Sequence, residues 1–184
     1  MGERDGDGMS DQAKRRIFAM LDADGDGVIT RAEYLARVER AASACGREPQ
    51  DPLVEAARAA HREVFRQMDG DGDGGVTFEE YRDWAGHDAF EQSCRPALGS
   101  LFDLADSDGD GRLTRQEFTR LRAATGNTTD GAAAAFAALD TDGDGTVDRA
   151  AYLLAIRDFV TSGASPMADA YGDGSPEPRE LSAR

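Results

Sequence analysis

The chain is poor in the residues that most catalytic chemistry needs. It holds two histidines, two cysteines and one tryptophan in 184 residues, and Lys14 is its only lysine. No G-x-S-x-G elbow, P-loop or dinucleotide fingerprint occurs in it, so no nucleophile or phosphate cradle is set up and catalysis is not expected. Cys45 and Cys94 stand apart, with no C-x-x-C spacing, and read as two free thiols in a reducing compartment. No apolar run approaches the ~20 residues of a membrane-spanning helix. The start, MGERDGDGMS, lacks the apolar core of a secretion signal, and Gly6 stands where N-myristoylation requires Ser or Thr. The expectation is a free cytoplasmic protein.

Positive charge is also scarce. There are 21 basic residues against 36 acidic ones, a net charge of −15. Phosphate backbones and anionic membrane surfaces are repelled by such a chain, so neither nucleic acid nor membrane is an expected partner, and cations are. A hydrophobic content of 40% is enough to build a core.

What the chain has in abundance is aspartate and glycine in a repeated order. DADGDGVITRAE begins at Asp22, DGDGDGGVTFEE at Asp69, DSDGDGRLTRQE at Asp106 and DTDGDGTVDRAA at Asp140. Four residues before each first aspartate stands Phe18, Phe65, Phe102 or Phe136, and after each twelfth position stands Tyr34, Tyr81, Phe118 or Tyr152. The repeat is therefore longer than the acidic loop. Apolar residues at steps of three and four mark the flanks as helices: Ile17, Phe18 and Leu21 before the first loop, for example, and Tyr34, Val38 and Ala41 after it. Asp51 before Pro52 reads as an N-cap with proline at N1, Pro96 is placed to open the third incoming helix, and Thr128 or Thr129 can cap the fourth.

The spacing suits a calcium ion, a hard cation that takes six to eight oxygens. Carboxylates at positions 1, 3 and 5 turn inward, glycine at 6 allows the bend, position 7 offers a carbonyl, position 9 often acts through water, and a glutamate at 12 closes the shell with two oxygens. Loop one supplies Asp22, Asp24, Asp26, the Val28 carbonyl, Thr30 and Glu33. Loop two supplies Asp69, Asp71, Asp73, the Gly75 carbonyl, Thr77 and Glu80. Loop three supplies Asp106, Asp108, Asp110, the Arg112 carbonyl, Thr114 and Glu117. Loop four supplies Asp140, Asp142, Asp144, the Thr146 carbonyl and Asp148, but Ala151 replaces the closing glutamate. Three complete calcium sites and a weak fourth are expected, the fourth open enough to suit water-retaining Mg2+ as well. Ile29, Val76, Leu113 and Val147 at position 8 are β-formers that should pair loop one with two and three with four.

From about residue 10 to 160 the chain resembles EF-hand proteins. The wide gap between Asp22 and Asp69, and the segment AAYLLAIRDFVTSG, resemble bacterial calerythrin and the sarcoplasmic calcium-binding proteins. That resemblance implies an all-α fold of four helix-loop-helix units packed as two pairs, in a compact cytosolic calcium binder where one degenerate hand is common. The expected division is 1–9 as a flexible start, 10–90 as the first pair, 91–161 as the second and 162–184 as a tail. Two near-motifs, at Asp5 in the start and at Asp169 in the tail, lose ligands or strand pairing and do not read as sites. Few methionines lie on core helices, only Met20 and Met68, which favours a buffer or transport protein over a sensor that exposes a methionine-rich groove to a partner; a monomer is expected.

Overall fold

The computed structural model describes residues 11–162 and Ser165; the segments around Asp5 and Asp169 lie outside the described residues. Each acidic loop stands between two helices and contains a three-residue strand. The first pair comprises α1 (Asp11–Leu21), β1 (Val28–Thr30), α2 (Arg31–Ala44), α3 (Pro52–Met68), β2 (Gly75–Thr77) and α4 (Phe78–Trp84). After the short α5 (His87–Ala89) and a π turn (Phe90–Cys94) come α6 (Arg95–Ala105), β3 (Arg112–Thr114), α7 (Arg115–Ala124), α8 (Thr129–Leu139), β4 (Thr146–Asp148) and α9 (Arg149–Ser162).

Local chemistry sets the helix starts. Asp51 accepts from Leu53 N at 2.8 Å with Pro52 behind it, and Thr128 accepts from Gly131 N at 3.1 Å. Pro96 stands in the first turn of α6, as the sequence suggests, although helical backbone already runs up to it from His87. The wide π turn just before it, closed by Arg95 N on Phe90 O, accommodates a ring that would meet a carbonyl in a regular α-helix.

The strands pair as position 8 predicts. Ile29 faces Val76 in the antiparallel β1–β2 ladder, and Leu113 faces Val147 in β3–β4. All four side chains are buried. Each ladder ties two loops together at their midpoints.

The repeated aromatics explain the rest of the pairing. They stack across the pair rather than within a unit: Phe18 on Tyr81 at 5.9 Å, Tyr34 on Phe65 at 6.0 Å, Phe102 on Tyr152 at 5.5 Å and Phe118 on Phe136 at 5.5 Å. Each incoming helix is thus locked to the outgoing helix of its partner, by contacts worth about 0.5–1.5 kcal/mol beyond the area they bury. The two pairs also share one continuous buried cluster, with α3 packed on α6 and α2 on α7. Leu101, Leu104 and Phe90 lie inside it and are almost fully enclosed.

Candidate metal centres

Loop one shows how the backbone builds a cation cradle. Asp22 Oδ1 accepts from Gly25 N at 2.9 Å and Asp26 N at 3.2 Å, while its Oδ2 accepts from Gly27 N at 2.9 Å. One carboxylate therefore gathers three amides and winds the chain around itself. Two residues must take positive φ for this, Gly25 at 74° and Gly27 at 92°. The glycine at position 6 is the expected one; that at position 4 is a second requirement of the same bend.

The glutamate at position 12 has a task beyond the metal. Thr30 N and Thr30 Oγ1 donate to Glu33 Oε2 at 2.9 and 2.6 Å, and Glu33 N donates back to Thr30 Oγ1 at 3.3 Å, a full capping box that starts α2. Thr77 with Glu80 and Thr114 with Glu117 repeat it at the starts of α4 and α7. Hydrogen bonding from Thr30 holds the Glu33 carboxyl below the usual range, and the Thr77 amide does the same for Glu80. Burial pulls the Glu117 carboxyl upward, but donors from Ser107 and Thr114 outweigh it and the net shift is down. These side chains are ionised and held in place before any cation arrives. Position 9 threonine, read from sequence only as a ligand through water, is a helix cap in all three loops.

Loop four departs in three ways. Ala151 carries no carboxylate, and its amide donates instead to Asp148 Oδ1 at 2.8 Å, so Asp148 caps α9 with an oxygen that the sequence reading assigned to the metal. Arg112, at the head of β3, places Nη1 2.5 Å from Asp144 Oδ2 and 3.1 Å from Thr146 Oγ1. Thr146, with Arg112 adding to it, holds the Asp144 carboxyl below its usual range. Finally, Asp140 Oδ2 accepts from Gly145 N at 3.1 Å, while Oδ1 is buried with no hydrogen-bond partner.

The donor sets fit a calcium-sized ion. Oxygens of Asp22, Asp24 and Glu33 lie within 4.8 Å of one another, as do those of Asp69, Asp71 and Asp73, of Asp106, Asp108 and Asp110, and of Asp140, Asp142 and Asp144. Oxygens on a shell of about 2.3–2.6 Å radius are at most about 5 Å apart, so these clusters match such a shell. Asp26 stands outside its cluster, its Oδ1 accepting from Val28 N at 2.9 Å. Glu80 Oε1 in loop two is buried with no well-formed hydrogen bond, though the Asp71 and Gly70 amides lie near enough to lower its pKa. Buried carboxylate oxygens of this kind are costly unless something positive meets them. The carbonyls at position 7, from Val28, Gly75, Arg112 and Thr146, each begin a strand beside their cluster. A bound calcium would supply charge neutralisation and a common centre for these oxygens.

The EF-hand domain pair family matches residues 10–86 and 95–150, which is most of the chain and all of its loops but the last residue of the fourth. A Streptomyces coelicolor calcium-binding protein, described for prokaryotic calcium-mediated regulation, is 30% identical, with 80% of this chain and 97% of that one covered at a TM-score of 0.69. The coelenterazine-binding protein of Renilla muelleri, solved in its calcium-loaded apo form, is 24% identical over 89% of this chain and 94% of that one, with a TM-score of 0.62. Mitrocomin, a calcium-regulated photoprotein of the jellyfish Mitrocoma cellularia, is 21% identical over 96% of this chain and 99% of that one, at 0.71. A search of curated protein sequences finds no match. Among the described residues, no helix is long and apolar enough to cross a membrane. With both halves matched and four acidic loops set between paired helices, this chain belongs to the EF-hand family of calcium-binding proteins.

Proposed function

We propose that this protein is a monomeric cytoplasmic calcium buffer that loads loops one to three and leaves loop four weak. The observation that carries the count is the contrast at position 12. Glu33, Glu80 and Glu117 are ionised and fixed by capping boxes, whereas loop four has Ala151, an aspartate engaged in a cap, and a guanidinium on its third carboxylate. In loop four a magnesium ion that keeps several of its waters is the better guest. Berovin, a 23% identical photoprotein with the same fold, binds magnesium in its loops.

The buffer role is supported by the continuous core. The helices of both pairs are packed into one cluster, and the large apolar side chains exposed among the described residues are Leu53 on α3 and Leu154 on α9. Opening one pair to expose a groove would have to break contacts with the other. A sensor is the second reading, favoured by the link of the Streptomyces coelicolor relative to calcium-mediated regulation. Calorimetric titration of calcium into stripped protein should give three tight sites, with a hydrophobic dye showing little change on loading. A large calcium-induced rise in dye binding to folded protein would decide for the sensor.

A further inference from the structure

The closing glutamates of the first three loops differ in one contact. Oε2 of Glu33, Glu80 and Glu117 is held alike, by the amide and hydroxyl of the position 9 threonine. Oε1 is not. In loop three it accepts from both Ser107 N, at 3.1 Å, and Ser107 Oγ. In loop one it has the Asp24 amide at 3.4 Å, and in loop two it is buried with no well-formed hydrogen bond. The cause is position 2 of each loop, where Ala23, Gly70 and Ser107 stand, and only the serine carries a hydroxyl. A carboxylate oxygen accepts in two lone-pair directions, so Glu117 Oε1 is filled by donors whereas Glu33 Oε1 and Glu80 Oε1 are not.

We propose that Ser107 is a positioning residue that narrows the preference of loop three for calcium over magnesium. The inference rests on the reading of loop three as a calcium site. A calcium ion takes both oxygens of the closing glutamate, and to reach Glu117 Oε1 it must displace one of the two Ser107 donors. The hydroxyl is the one that leaves, because it swings away by rotation about one side-chain bond, whereas the amide is fixed by the loop. Ser107 is exposed, so the displaced hydroxyl turns to water. Magnesium demands a near-octahedral shell and keeps several of its waters. The two oxygens of one carboxylate are too close together to fill two octahedral corners, so magnesium needs at most one of them and can take Oε2, as in the other loops. Calcium therefore gives up a charge-assisted hydrogen bond on entering loop three, and magnesium does not. Loops one and two carry no hydroxyl to displace.

The test follows the amides of Gly27, Gly74 and Gly111, each hydrogen-bonded to the first aspartate of its loop, in 15N spectra. Stripped full chain is titrated with calcium alone, its free concentration set by a chelator, and with magnesium alone. In Ser107→Ala the calcium midpoint at Gly111 should fall by about three- to tenfold, the range of one net hydrogen bond. The magnesium midpoint at Gly111 and both midpoints at Gly27 and Gly74 should stay where they are. Ser107→Thr, which keeps the hydroxyl, should match the native chain. Ala23→Ser should raise the calcium midpoint at Gly27 by a like factor, since the Ala23 amide already lies beside the Glu33 carboxylate. A calcium midpoint at Gly111 that is unchanged or higher in Ser107→Ala, or that moves together with the magnesium midpoint, would overturn the proposal and leave the three-site reading standing. A Gly111 amide that calcium does not move in the native chain would overturn both.

Discussion

Arg112 serves two loops at once: its carbonyl sits at position 7 of loop three, while its side chain reaches over the β3–β4 ladder to Asp144 of loop four, 2.5 Å away. The register makes this geometry available, since Arg112 pairs with Asp148 at the far end of loop four's strand. The guanidinium competes with a metal ion for the same carboxylate. Both side chains are about half exposed, so the contact is worth only about 0.2–1 kcal/mol. Arg112→Gln should therefore strengthen cation binding at loop four by up to about fivefold, read by magnesium or calcium calorimetry. An unchanged affinity would show that the guanidinium does not compete.

Restoring the missing carboxylate tests the same loop from the other side. Ala151→Glu should bring a fourth tight calcium into the titration, with Asp148 free to cap and the new side chain free to close the shell. If stoichiometry stays at three, the obstacle lies in Arg112 or in the placement of Asp140.

Arg47 links the first pair to loop three without touching metal. It follows α2 and donates through Nε to Leu104 O at 2.9 Å and through Nη2 to Asp106 O at 2.8 Å, covering carbonyls left open where α6 ends at the first ligand of loop three. Arg47→Ala should cost about 2 kcal/mol of stability, the scale of charge-assisted hydrogen bonds. It should also weaken the loop-three site selectively, which site-resolved NMR titration would reveal as a shifted midpoint for loop three with loops one and two unmoved.

His61 predicts a pH dependence. Burial, with the Arg37 charge adding to it, pushes its pKa down to about 3, against about 6.5 in the unfolded chain. Between these values the unfolded state binds the extra proton, so stability is full above about pH 6.5 and falls as the pH drops towards 3. From pH 7 to pH 5 the loss from this group is about 2 kcal/mol. Urea unfolding of metal-free protein should show that loss in the native chain and not in His61→Phe; equal losses in both would assign the acid sensitivity to other groups.

The loops were legible in the sequence because their chemistry is local. Asp22 and Glu33 are eleven residues apart, and spacing alone brings them to one centre. The position 8 pairs were legible for a related reason, since β-formers in fixed register leave few partners to choose from. Arg112 was visible only as a carbonyl, because its side-chain partner is 32 residues away and the contact depends on strand register. The π turn before Pro96 depends on how helices from separate hands approach, which no single segment encodes. The cap made by Asp148 was not legible for a physical reason: once the glutamate at position 12 is gone, the helix still needs a cap, and the nearest carboxylate supplies it through one oxygen.

The placement of Trp84 has an optical consequence. Its ring lies 6.2 Å from that of Tyr81, and Tyr81 directly follows the closing glutamate of loop two. As the one tryptophan of the chain, it gives an emission signal with a single origin. The protein thus carries a native fluorophore beside a metal loop, and shifts in its wavelength would report loading of that loop without any label.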